Sequence, residues 1–249
     1  MLGLGSCVGS LLAGHGAAAQ QLADKNRELP VENVWLLYST DARLSEKWGV
    51  HADAQIRRSR TVAVLRHNQA RVGINYHATS QVTLTAGYSY VAQFSTDDSP
   101  AAIHAPEHRL YEQLVLQDVK GLVRMQHRYR LEQRRLVRPG EDRAVYLNRL
   151  RYQLRGVLPL RGAVLQPGTP YVAASDELLF DFGRNATGSM FSQNRAYLAL
   201  GYQFTKATAL EAGYLHQLFI DGVAPQRHVA QLSLTFNPDL RPLPEAAGR

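Results

Sequence analysis

The feature that most constrains this chain is a polar–apolar alternation with a period of two, running from about residue 34 to residue 237. Near the C-terminus Ala230, Leu232, Leu234 and Phe236 alternate with Gln231, Ser233, Thr235 and Asn237. Successive side chains of a strand point to opposite faces, so each such segment has one greasy and one polar side. Eleven segments read this way, at about 34–44, 49–58, 65–77, 81–94, 107–117, 122–137, 145–158, 171–182, 190–204, 209–220 and 227–237. Most reach the ~9–11 residues that a tilted strand needs to cross a bilayer.

The faces can be assigned. In 49–58, Val50, Ala52, Ala54 and Ile56 share one side, and His51, Asp53, Gln55 and Arg57 the other. In 81–94, Val82, Leu84, Ala86, Tyr88 and Tyr90 oppose Thr83, Thr85, Gly87 and Ser89. In 122–137, Arg124, Gln126, Arg128, Arg130, Glu132 and Arg134 form a polar row against Val123, Met125, His127, Tyr129 and Leu131. No segment is apolar on both faces, as the centre of a soluble sandwich would require. A soluble barrel with the greasy face inside would have to pack about ten strands of Leu, Tyr and Phe into one small lumen. Lipid outside and a polar interior satisfy the pattern.

No stretch beyond residue 20 approaches the ~20 apolar residues of a membrane-spanning helix. Backbone groups in lipid must be paired within the protein, so a spanning sheet must close. The expectation is an all-β fold: a single antiparallel transmembrane β-barrel over 34–237, an up-and-down meander of about twelve strands (range ten to twelve), monomeric, with outer-membrane lipid as its partner. The net charge is +7, from 28 Lys+Arg against 21 Asp+Glu. The basic residues are mostly Arg, spread among aliphatics and facing the proposed interior, which argues against a nucleic-acid partner.

Residues 1–19 read as a signal peptide: Leu2 to Ala13 is apolar and small, and Ala17-Ala18-Ala19 is a small-x-small site with cleavage expected after Ala19. The lone cysteine, Cys7, lies inside it, which leaves none in the mature chain and fits an oxidising compartment. The expected location is the bacterial outer membrane. Connections alternate between short and long, with 158–170 long where a short turn is due. Short turns face the periplasm in bacterial barrels. With eleven segments the first and last then run the same way, so residues 20–33 are expected to form a twelfth strand or thread the lumen. Residues 238–249 are a tail.

Glu112 and Asp176 fall on the greasy side by strict alternation, so each is expected at a rim or a local bulge. Tyr38, Tyr76, Tyr88, Tyr90, Tyr202 and Tyr214 are read as an outward girdle near strand ends.

The stretches EHRLYEQL (107–114), QHRYRLEQR (126–134), NRLRYQLR (148–155), PYVAASDELLFDFG (170–183), FSQNRAYLALGYQF (191–204) and LEAGYLHQ (210–217), with ENVWLLYS and KWGVHADAQIRRS nearer the start, resemble an uncharacterised outer-membrane family, domain of unknown function 2490. The resemblance implies an outer-membrane barrel and no known activity. One departure is that Phe236 is not terminal, although such barrels generally end on an aromatic residue.

The inward faces carry complementary charge. Arg124, Arg128, Arg130, Glu132 and Arg134 are followed by Arg149, Arg151 and Arg155, then Glu177 and Asp181, then Arg195, then Glu211. Opposite charges on neighbouring strands stabilise a sheet, and the planar guanidinium suits carboxylates. Three functional classes remain: a structural or interaction barrel braced by this network, a small anion-biased channel for small anionic solutes, or a lipid hydrolase using outward Ser192, His127 or His216. No Ser/His/acid spacing, phosphate loop, dinucleotide motif or calcium loop stands out, so no catalytic residue, cofactor or metal is expected.

Overall fold

The computed structural model describes residues 33–59, 64–94, 103–137, 143–220 and 226–242. The expected signal peptide, its cleavage site, Cys7 and residues 20–32 lie outside them. Alternating polarity over long runs forms eleven strands: β1 (Asn33–Arg43), β2 (Trp48–Ser59), β3 (Val64–His77), β4 (Val82–Phe94), β5 (Ile103–Lys120), β6 (Val123–Val137), β7 (Ala144–Pro159), β8 (Thr169–Phe182), β9 (Phe191–Gln203), β10 (Thr208–Phe219) and β11 (Gln226–Phe236). They correspond to the eleven segments read in the sequence. Among the described residues no helix is long and apolar enough to cross a membrane.

The strands close into one barrel, each paired with its neighbours in sequence, and β1 paired with β11. Sequence neighbours are antiparallel. The β1–β11 seam is parallel, from Asn33↔Val229 to Ser39↔Thr235. Among the described residues the expected meander closes with eleven strands. First and last strands run the same way, and a parallel ladder joins them.

The chain then continues the seam past Phe236. Arg43 N donates to Pro238 O at 2.9 Å, and Leu240 N to Arg43 O at 2.8 Å. Asp41 N donates to the Asn237 side chain at 2.8 Å. The start of the expected tail is therefore laid along β1 at the short-turn rim.

Burial is the reverse of a soluble domain. Leu200 and Ile74 on the outside are 66% and 61% exposed, whereas Glu107 and Glu132 inside are 1% exposed. Rings on the inner face lean on glycines. A Cβ added at Gly201 would lie 2.2 Å from the Tyr171 ring, and one at Gly73 2.6 Å from the Tyr111 hydroxyl. Glycine is used here because the ring takes the place of a side chain. Gly121, at φ 62°, sits in the short β5–β6 turn. The β7–β8 connection, long where a short turn was due, folds Leu165 back against Tyr171, Ala173, Ala209 and Val157 at the barrel mouth. Apolar burial thus accounts for its length.

Several sequence expectations are corrected here. Glu112 and Asp176 point outward, but neither is at a rim or a bulge. Glu112 is mid-strand in β5 with regular pairing to Ala86 and Leu131. Asp176 is mid-strand in β8, opposite Leu154 and Ala196. Each is stabilised by a carboxamide from the next strand: Gln133 Nε2 donates to Glu112 at 2.9 Å and Asn194 Nδ2 to Asp176 at 2.8 Å. Tyr88 and Tyr214 are likewise mid-strand rather than near the ends, bonded to His108 and His228. Ser192 is not on the regular outer face. It occupies a bulge of β9 opposite Leu179 and Phe180, and its hydroxyl donates to Leu179 O at 3.2 Å.

Candidate functional site

The polar face of every strand meets in the lumen, so the site is the interior itself. Glu132 accepts from Arg109 at 3.2 Å and from Arg151 at 2.9 Å. Arg151 also donates to Glu177 at 2.7 Å, which in turn holds Arg128 at 2.7 Å and Arg195 at 3.4 Å. Nearer the long loops, Glu107 binds Arg109 at 2.9 Å and also binds Arg134. Asp181 binds Arg149 at 2.6 Å and lies 3.6 Å from Arg134. Arg155 is paired with Glu211, which also accepts from the Tyr171 hydroxyl at 3.0 Å. Arg155, Glu211 and Tyr171 form a separate group, and the other partners come from β5 to β9 and form one connected layer. A buried charge is costly unless paired, and here nearly every carboxylate serves two cations.

Two residues expected in the network are not ion-paired within it. Arg124 is exposed near the short-turn end. Arg130, 2% exposed, donates only to Gln113, with Nε at 2.9 Å, and lies over the Tyr111 ring at 5.0 Å. Directly opposite it on β7 is Arg151, another cation.

Below the ion-pair layer a cavity of about 900 Å³ occupies the short-turn half of the lumen. Arg57, Arg71, Arg128, Arg130, Arg151 and Arg195 line its inner part, and Gln81, Asp118, Arg124 and Asp239 belong to its outer part. Its wall contains nine arginines and six carboxylates, so its field is positive. Glu107, Arg109, Glu132, Arg134, Arg149 and Asp181 are not part of that wall; they fill the lumen beyond it.

The family model described as protein of unknown function (DUF2490) matches residues 32–226. The chain belongs to the DUF2490 family. No curated protein matches this DUF2490 sequence. The crystal structure of the siderophore receptor PirA from Pseudomonas aeruginosa matches with 13% identity and a TM-score of 0.32, over 77% of this chain and 36% of that one. The DUF2490 chain therefore spans little more than a third of that receptor, and its fold rests on its own strand pairing.

Some lumen residues of the DUF2490 barrel were not read as part of the charge network, although His51, Asp53 and Arg57 were placed on a polar face. Arg71 pairs with Asp53 at 2.7 Å, and His51 places one ring nitrogen 3.0 Å from Asp53 and the other 2.8 Å from Asp41. Glu107 and Arg109 form the long-loop end of the layer. Arg57 lies 3.9 Å over the Trp35 ring. The signal for Glu107 and Arg109 was present, because they precede Tyr111 and Gln113 on one face of β5. The pairs Asp41–His51 and Asp53–Arg71 sit directly opposite each other on β1–β2 and β2–β3, so they follow from the register of two neighbouring hairpins. Of the outward candidates for hydrolysis, His127 bonds to Tyr152 at 3.0 Å and His216 faces His228 at 5.5 Å; neither is paired with Ser192. Among the described residues no group of His, Cys, Asp and Glu is placed to hold a metal ion.

Proposed function

We propose that this protein is an exported barrel of the bacterial outer membrane, monomeric, with lipid around its wall and a lumen braced by ion pairs. Its role in this reading is structural or that of a binding partner, not of an open pore. The observation that carries the reading is the reversed burial, with leucine outside and paired carboxylates inside. An apolar outer wall is stabilised at about 25 cal/mol for each Å² removed from water. At the short-turn rim Trp48 packs against Tyr76 with centroids 5.0 Å apart, and Tyr202 against Phe204 at 4.8 Å. Such rings favour a headgroup interface. Fractionation of cells tests the location: the protein should pellet with the outer membrane and shift in mobility on heating. Recovery in the soluble periplasm would overturn it.

The arginine excess around the cavity supports a second reading, a narrow anion-biased channel. Planar-bilayer recording separates the two. The braced lumen predicts silence. Stepwise anion-selective currents, altered by Arg128→Ala or Arg151→Ala, would favour the channel.

A further inference from the structure

Inside the cavity several arginines have more donors than acceptors. Arg130 Nη1, Arg71 Nη1 and Arg128 Nε are buried and have no hydrogen-bond partner. Arg130 is 2% and Arg71 4% exposed, and both line the cavity. Arg128 lies two residues from Arg130 on the same face of β6, and Arg151 is paired directly opposite it. Arg71 comes from β3, and Arg128 and Arg130 from β6, and the curved wall places all three on one cavity. Arg71 and Arg128 each hold one carboxylate, Asp53 and Glu177, but Arg130 holds none, and all three keep a free N–H group. Positive charge and donors left unmatched out of water are costly, and a multiply charged oxyanion offsets both.

We propose that Arg71, Arg128 and Arg130 form a binding site for a small phosphate-type oxyanion, entering from the short-turn end. This deepens the lumen reading above by naming what the cavity takes. Phosphate carries between one and two negative charges near neutrality and presents several strong acceptor oxygens, which suits three guanidinium N–H groups from three side chains. A monoanionic carboxylate would satisfy fewer of them. The wall is closed, so the ion arrives through the mouth as a free solute rather than sideways on a lipid headgroup.

The test uses the full-length barrel purified in maltoside micelles, in phosphate-free buffer at low salt. Inorganic phosphate is titrated by calorimetry, beside acetate and a short-chain phosphatidylglycerol, and unfolding temperature is followed with and without phosphate. Phosphate should bind and raise the unfolding temperature, with acetate much weaker. Arg130→Gln and Arg71→Gln should each weaken phosphate about tenfold or more. Arg130→Gln should also unfold at a higher temperature than the parent without phosphate, because it removes a repelled cation; a brace would show the opposite. Absence of phosphate binding, or equal binding in the parent and both variants, would overturn the site. Stronger response to the phospholipid than to phosphate would overturn the free-solute source. A barrel that binds phosphate but fractionates as a soluble protein would remove the membrane location and leave this site standing.

Discussion

Arg151 Nη1 donates to Glu132 Oε1 at 2.9 Å, and both side chains are buried. Truncating one member of such a pair leaves the other charged and buried, which costs about 3–5 kcal/mol. Glu132→Ala should therefore lower the urea midpoint of the barrel sharply, read from the heat-modifiable gel band. Replacing Glu132 and Arg151 together by leucine should recover much of the loss.

Tyr171 occupies the space that a side chain at Gly201 would need. Gly201→Val should impair assembly, measured as the fraction of chain in the folded band. Tyr171→Phe keeps the ring and loses only the 3.0 Å bond to Glu211, so it should cost about 1–3 kcal/mol and leave folding yield unchanged.

On the outer face, Glu112 is held by Gln133 amid leucines. If hydrocarbon covers this face, Glu112→Leu should stabilise the barrel in lipid by up to about 2 kcal/mol, and Gln133→Leu alone should destabilise it. In a soluble protein the leucine would bring no gain, so equilibrium unfolding in vesicles checks both points.

At the short-turn rim Arg241 donates to Glu46 at 2.5 Å and to Asp239 at 2.6 Å. The hydrogen bonds from Arg241 hold the Asp239 carboxyl down at about 2. A depressed acid contributes at pH values above its ordinary value near 4 and is lost as pH falls toward 2. Protease cleavage of the tail should accordingly be unchanged from pH 5 to 8. Arg241→Ala should speed it at every pH in that range.

The eleven segments, their faces and the inward charge rows were legible because a period of two is a local property. Each of β2, β4 and β6 states its own inside and outside. The pairing of Arg71 with Asp53 needs the β2–β3 register, which alternation alone does not fix, and the gathering of Arg71 and Arg130 on one cavity depends on the curvature of the wall. Glu112 and Asp176 were misplaced because alternation alone does not reveal the neighbouring amide that satisfies a carboxylate. The parallel seam was hidden for a related reason: no single strand records which end of the chain it will join.

The odd strand count gives the molecule a direction. β1 enters the wall at the long-loop rim, while the segment after Phe236 leaves at the opposite one. If the barrel spans the outer membrane as proposed, epitopes inserted just ahead of Asn33 and just after Pro242 would lie on opposite sides of it, and antibodies added to intact cells should reach one and miss the other.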